Sequence, residues 1–372
     1  MPETSAVDVP EVDRAANDTE SAAHILAAKI EAGGPVTLGE YMGIANSAYY
    51  ASKDPLGEDG DFITAPEISQ MFGELIGIWL ADLWMRSGAP AYCHYVELGP
   101  GRGTLASDAL RSMAKFGCNP MHHFVETSPV LKAKQMLLHQ EAAWHDNIDS
   151  LPDDAPLLIV ANEFFDALPV EQMIRTEAGW HQMMVTRERN KFVAIPNMEA
   201  MEDRQPKLSK AVSEGTILET SPLSYSLFSN LSNRIASQGG VILVIDYGYD
   251  QPGTGSTLQA VKNHLPVSPF DSPGLSDLTA HVNFHELSNI ARTRLLNVHG
   301  PVEQGQWLKA IGIDQRANAL AAAVPKKAES LNAARRRLCD VEEMGRLFKV
   351  MAATAMSWPQ PEGFIYADEV SG

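Results

Sequence analysis

Three glycines at alternate positions, Gly99, Gly101 and Gly103, follow an apolar run of Tyr95, Val96 and Leu98. A helical pattern of Leu105, Ala109, Leu110, Met113 and Ala114 comes after them. A buried strand that ends in a glycine turn and opens a helix brings the backbone close to a nucleotide-like ligand, at the carboxyl edge of a parallel sheet. Glycine is needed where a Cβ would strike the ligand or forbid the turn. The spacing is G-x-G-x-G, and Pro100 lies inside it, whereas the dinucleotide fingerprint is G-x-G-x-x-G. Glu97 stands two residues before Gly99. Its carboxylate would repel a pyrophosphate and attract an ammonium or sulfonium, which points to S-adenosylmethionine (SAM). Another nucleotide or a plain tight turn are the other readings of this stretch.

The next elements extend the pattern. Met121 to Thr127 reads as a second strand ending in Glu126, 23 residues after Gly103. An acid at the end of the second strand suits ribose hydroxyls. Trp144-His145-Asp146 reads as a third strand end, with Asp146 in reach of an adenine. The uninterrupted apolar run Leu157 to Ala161 predicts a central parallel strand. It runs into Asn162-Glu163-Phe164-Phe165-Asp166, which places polar groups where such folds put chemistry. Glu163 and Asp166, with Asn162 orienting, are the first candidates for the reacting site. Asn162 is also a candidate cofactor contact. Asp246 and Tyr247, after the buried run Val241 to Ile245, are second candidates. An acidic helix N-terminus would explain the Glu163 cluster without chemistry.

Ahead of the glycine turn, helices are expected over residues 21–33, from Leu38 to Ala45, and from Ile68 to Met85. Thr64 and Glu67 have capping-box spacing before the last of these. This helix and its loop could close over the ligand, with Glu67 and Glu74 completing the pocket. Trp180 to Ile195 reads as a hairpin, and Gly253 to Gly274 as a long mobile loop. The division expected is an acidic disordered tail over 1–20, a helical cap over 21–90 and a main domain over 91–372, with insertions at about 175–215 and 250–345.

A net charge of -18 argues against bulk nucleic-acid binding and suits a basic protein partner. Three scattered cysteines without a C-x-x-C pair fit a reducing compartment. The N-terminal residues lack a signal-peptide or Arg-rich transit pattern, so a cytoplasmic location and no membrane insertion are expected. His281 and His285 have i, i+4 spacing but no evident third ligand, and no metal is expected.

Six ordered motifs resemble one family. They are Gly60 to Glu74, Val96 to Thr104, Glu126 to Pro129, Ala161 to Val170, Asp246 to Tyr249 and Leu278 to Phe284. The chain resembles the MidA-like class I SAM-dependent methyltransferases over about Leu38 to Ala353. Asn283 stands where the family pattern has Asp, and Val261-Lys262 where it has an arginine-rich run. The resemblance implies an α/β fold, a seven-stranded Rossmann-like sheet with N-terminal helices and an inserted substrate-binding region. It implies a SAM-dependent protein arginine methyltransferase. The acceptor would lie in a quinone-module subunit of respiratory complex I, would be symmetrically dimethylated, and the enzyme would support assembly of the complex. A homodimer is one oligomeric option. A small amine or nucleic acid as acceptor, or a non-catalytic assembly chaperone, are the alternatives.

Overall fold

The computed structural model describes residues 14–57, 60–200 and 212–364. Most of the acidic tail expected over 1–20 lies outside these residues, but the first helix spans Arg14–Gly33 and so begins before residue 21.

The centre is an eight-stranded mixed sheet. Its strands are β1 (His94–Leu98), β2 (Met121–Val125), β3 (Ala143–His145), β4 (Leu157–Asn162), β5 (Gly240–Tyr249), β6 (Val282–Asn283), β7 (Leu296–Glu303) and β8 (Phe348–Ala355). The order is β7-β8-β5-β4-β1-β2-β3, with β6 paired to β5 off this path. Strands β1 to β5 run parallel, and β8 is antiparallel to β5 and β7. The chain leaves β1 to one side, for β2, and later returns on the other side as β4. Such a reversal opens a crevice at the carboxyl ends of the two strands.

Every residue of β1 and β4 is buried. An apolar run without alternation needs both sheet faces covered, and helices supply the cover. On one face, helix Gln70–Arg86 packs on helix Thr104–Ala114 with almost no space between backbones. An added Cβ on Gly77 would lie 2.3 Å from the Ala109 carbonyl oxygen. The continuous helix expected from Ile68 is broken: a short turn, Ala65–Ile68, ends at Ser69, whose extended backbone restarts the helix. The Ser69 hydroxyl accepts the Met71 N–H at 3.2 Å, so Ser69 is the working cap. Thr64 makes no side-chain cap.

A second, smaller core holds Leu26, Leu38, Tyr41, Met42 and Ala45 of the N-terminal helices against Val185, Phe192, Ala260 and Leu278. These last residues belong to two small sheets. One has five strands and includes Glu171–Thr176, Gly179–Glu188 and Lys191–Pro196. The expected hairpin is there, turning on Arg189 and Asn190, both at positive φ. The other has three strands, Gln259–Lys262, Leu265–Val267 and Asp277–Thr279. The segment Gly253 to Gly274 is therefore no structureless loop: it carries a hairpin turning on Asn263 and His264. His281 precedes β6 and His285 lies in helix Phe284–Thr293, so the pair shares no helix face. Asn283 caps that helix by accepting the Glu286 N–H at 3.1 Å. Asn and Asp cap about equally well, so the departure from the family pattern preserves this function.

Among the described residues, no helix is long and apolar enough to cross a membrane.

Candidate active site

A cavity of about 1040 Å³ opens at the carboxyl ends of β1, β2, β4 and β5. Its cofactor-like side is built by the glycine turn. Gly99 and Gly101 line it at φ +60° and +56°. A Cβ on Gly99 would meet the Phe164 ring at 2.9 Å, and one on Gly101 the Leu56 side chain at 2.8 Å. The turn thus packs as closely against its neighbours as it can approach a ligand, and Pro100 lies in the same wall. Gly103 has another role. It precedes helix Thr104–Ala114 at φ +82°, a Cβ added there would meet the His139 ring at 2.9 Å, and it lies outside the cavity wall.

Glu97 is buried in the wall and accepts the Tyr95 hydroxyl at 2.6 Å. Burial pushes its carboxyl up to about 8, against that hydrogen bond. Glu126 also lines the cavity, and its oxygens accept the Ser128 N–H at 2.8 Å and the Gln135 amide at 3.1 Å. Its pKa is likewise raised by burial. Asp146 does not join them. It lies past the end of β3 with an exposed side chain, pairs with Lys132 at 2.6 Å, and is not among the cavity residues. The expectation that it meets an adenine is corrected: β3 ends at His145, which leaves Asp146 on the solvent side.

The other side is built where β4 ends. Glu163 sits at φ +49°, an uncommon conformation for a non-glycine residue. Its Oε1 accepts the Ala65 N–H and the Asn162 amide, both at 3.2 Å. Burial, and then the Asp166 charge, push its carboxyl up to about 7. Burial raises Asp166 to about 6, while a hydrogen bond from the Tyr247 hydroxyl opposes the rise. Asn162, Glu163, Asp166 and Tyr247 all line the cavity. The Oδ1 of Asn162 is buried and has no hydrogen-bond partner among the described residues. Asp246 is fully buried behind the wall. It is a brace, and its sequence assignment to the reacting group is corrected: its oxygens are taken up by backbone N–H groups.

A third wall went unseen in the sequence. Helix Leu38–Ser52 contributes Asn46 and Tyr50, and the three-stranded sheet contributes Asp277 and Thr279, with His281 just beyond. The Asn46 amide donates to the Ala167 and Leu278 carbonyls at 3.0 and 2.7 Å, which ties the helix to both neighbours. The signal was the alternation Asp277, Thr279, His281, which puts three polar residues on one side of an extended segment. The segment ahead of β1 does cover the cavity, through Leu56, Phe62, Pro66 and Glu67. Arg102 ties it to the glycine turn through Asp54 at 2.7 Å and the Leu56 carbonyl. Glu67 is held by Thr104 at 2.5 Å. Glu74 faces elsewhere, pairing with Arg316 at 2.7 Å, and does not reach the cavity. Among the described residues no group of three metal-type ligands occurs.

These residues fit SAM. The backbone cradle, a buried carboxyl and an unpartnered amide oxygen suit a ligand with an ammonium and several N–H donors, and Glu126 suits a diol.

Residues 75–302 match a family model described as S-adenosyl-L-methionine-dependent methyltransferase. The chain is 36% identical over 371 residues to the mitochondrial protein arginine methyltransferase NDUFAF7 homolog of Drosophila melanogaster, covering 89% of this chain and 84% of that one. It is 35% identical to the Mus musculus protein arginine methyltransferase NDUFAF7, also mitochondrial, covering 87% and 82%. A crystal structure from Burkholderia thailandensis with S-adenosyl-homocysteine bound superposes with a TM-score of 0.83 at 26% identity, covering 96% of this chain and 97% of that one. The expected cytoplasmic location is corrected by these relatives, which are named as mitochondrial proteins. The expectation rested on N-terminal composition, and residues 1–13 lie outside the described structure.

Proposed function

Because the chain belongs to the S-adenosyl-L-methionine-dependent methyltransferase family, we propose that this methyltransferase acts on arginine in a protein. The finer reading is symmetric dimethylation of a complex I subunit of the quinone module, in support of assembly of the complex. The observation that carries it is the pair Glu163 and Asp166. Asp166 is buried and Glu163 half-buried in the cavity wall beside an unpartnered Asn162 oxygen, and among the described residues neither is in an ion pair. The relatives named above are protein arginine methyltransferases, which supports the same acceptor.

The bound cofactor supplies a methyl group activated on its sulfonium. Everything else falls to the chain. Glu97 meets the ammonium, the Gly99–Gly101 backbone sets the depth of the ligand, and Glu126 meets the ribose hydroxyls. Glu163 and Asp166 grip a guanidinium, whose pKa is above about 12 and whose lone pairs are delocalised. Drawing the positive charge toward the carboxylates leaves the opposite nitrogen better able to attack. The proton lost from the methylated nitrogen goes to Glu163, poised at about 7, and on to solvent. Holding acceptor and donor in line supplies much of the acceleration.

The two small sheets and the helix Leu38–Ser52 share a core and would form the acceptor-binding region, in place of a separate cap over 21–90. Helix Gln70–Arg86 would belong to the main domain, where its residues join the central core. The test is transfer from isotope-labelled SAM into an extract of cells lacking the gene, followed by acid hydrolysis. Label in symmetric dimethylarginine on one respiratory-complex subunit is expected. Label in another residue, in a small amine or in nucleic acid overturns the acceptor. SAM binding without any transfer favours a missing partner or the chaperone.

A further inference from the structure

Tyr50 joins two walls of the cavity. Its carbonyl accepts the Ser128 hydroxyl at 2.6 Å, next to the cofactor-facing Glu126. Its own hydroxyl donates to Asp277 Oδ1 at 2.9 Å. Asp277 is only 5% exposed and lines the cavity. Asp166 and Glu163 are near enough for their charges to act on it.

Three carboxyls, Asp166 and Asp277 buried and Glu163 half-buried, thus face one space from two sheets. Glu163 and Asp166 come from the end of β4, and Asp277 comes from the small sheet. The neighbouring Asp61 has a cation of its own, Lys53, at 2.5 Å, and also accepts the Tyr49 hydroxyl. Arg337 acts on Glu163 as a charge without an ion pair between them, and His281 is held toward its neutral form by burial. No described ion pair neutralises the three. Like charges gathered in a buried space are costly unless they take up protons or a cation bridges them. The unpartnered Asn162 oxygen on the same cavity adds an acceptor waiting for a donor. An ammonium presents its three donors from one point, whereas a guanidinium presents five in a planar fork and can meet separate carboxylates at once.

Resting on the arginine reading above, we propose that Asp277, positioned by Tyr50, is a third substrate-binding carboxylate, which selects a guanidinium over an ammonium by gripping it from the small sheet while Glu163 and Asp166 grip it from the central one. Binding of the cation then expels protons that the empty cavity held. Because Tyr50 also touches Ser128, the grip is set by the same helix that abuts the cofactor wall.

The test uses the full-length protein loaded with S-adenosyl-homocysteine. It is titrated by calorimetry with N-acetyl-arginine amide and with N-acetyl-lysine amide near pH 7, in two buffers of different ionisation enthalpy. The arginine amide is expected to bind tighter and to release protons. Loss of one charge-assisted contact corresponds to about tenfold to a hundredfold in affinity, and a contact shared among three carboxylates falls at the low end. Asp277→Asn is therefore expected to bind the arginine amide about tenfold more weakly, release fewer protons and lose most of the preference over lysine, with cofactor-product affinity unchanged. Tyr50→Phe, which keeps the carboxylate but frees it, is expected to move the same quantities about threefold, within the range of one neutral hydrogen bond. If Asp277→Asn does not fold, shown by loss of cofactor-product binding, the Tyr50→Phe result decides. Wild-type affinity, preference and proton release in the variant overturn the Asp277 assignment alone. Failure of the wild-type protein to bind either amide, while still binding the cofactor product, overturns the arginine reading as well.

Discussion

Asp246 Oδ2 accepts the backbone N–H of Asp166 at 3.3 Å. The same oxygen accepts the N–H groups of Phe164 and Phe165 at 3.2 and 3.0 Å, and Oδ1 accepts that of Tyr247 at 3.0 Å. Burial and the neighbouring carboxylates push the pKa of Asp246 up, and the N–H groups oppose them. One buried carboxylate on β5 therefore folds the loop that leaves β4 and presents Asp166 to the cavity. Asp246→Ala strips the acceptor from these N–H groups, and each buried donor left bare costs about 1–3 kcal/mol. Chemical denaturation should show a loss of about 3 kcal/mol or more. Asp246→Asn keeps one acceptor oxygen and should lose less. Equal stability of Asp246→Ala and wild type would remove the brace.

Glu97 should make cofactor binding depend on pH. Its carboxyl rests at about 8 in the ligand-free protein, and a cationic ligand needs it ionised. Below that value, binding must first displace a proton. Affinity for S-adenosyl-homocysteine should then fall as pH drops from about 8 toward 6, by at most about tenfold per unit. Glu97→Gln should weaken binding by about tenfold to a hundredfold, the range for a hydrogen bond to a charged group. It should also flatten the pH profile between 6 and 8. Calorimetric titrations across that range decide, and a Glu97→Gln profile as steep as wild type would point to another group.

The central sheet and the cavity wall at its strand ends were legible in the sequence because each signal there is local. Apolar runs mark β1, β4 and β5, and Glu97, Glu126, Glu163 and Asp166 are read at the strand ends, a few residues from each run. Asp146 failed by a single residue: β3 ends at His145, and a strand end fixes whether the next side chain faces ligand or solvent. Asp246 failed because a carboxylate at a strand end can turn inward to backbone N–H groups or outward to a ligand, and the choice depends on a loop about 80 residues away. Tyr50 and Asp277 lie 227 residues apart in sequence and meet only in three dimensions.

Gly77 should not tolerate a methyl group. Its added Cβ would sit 2.3 Å from the Ala109 carbonyl oxygen and 2.6 Å from the Ala109 Cα, and these are backbone atoms of a packed helix. The helices must separate to admit it. Overpacking of a buried contact costs about 1–3 kcal/mol, which outweighs the roughly 1 kcal/mol that alanine gains over glycine in a helix. Gly77→Ala should therefore be destabilised in urea unfolding, although an exposed helix would gain from the same change. A variant as stable as wild type would mean that the two helices pack less closely than this.

Glu163 should lend the empty protein a stability that fades as pH rises. Its carboxyl titrates at about 7 when folded and near 4.3 when unfolded. Between those values the folded state holds the extra proton, so stability falls with rising pH through this window and levels off above it. Buried His123 and His299 act in the opposite sense. Burial holds both at about 4, so the unfolded state takes up protons first as pH drops below about 6.5. A single curve mixes these effects, but the difference between wild type and Glu163→Gln removes the histidine part, because both proteins share it. Glutamine does not titrate. Relative to the variant, wild type should lose stability between about pH 5 and about pH 8, as read from urea unfolding at both values. A guanidinium ligand bound to wild type should recover part of the loss at the higher pH, because it supplies the counter-charge that the proton provided. A difference that stays flat from pH 5 to 8 would place the proton elsewhere and leave Glu163 ionised throughout, too acidic to receive the proton released on methyl transfer.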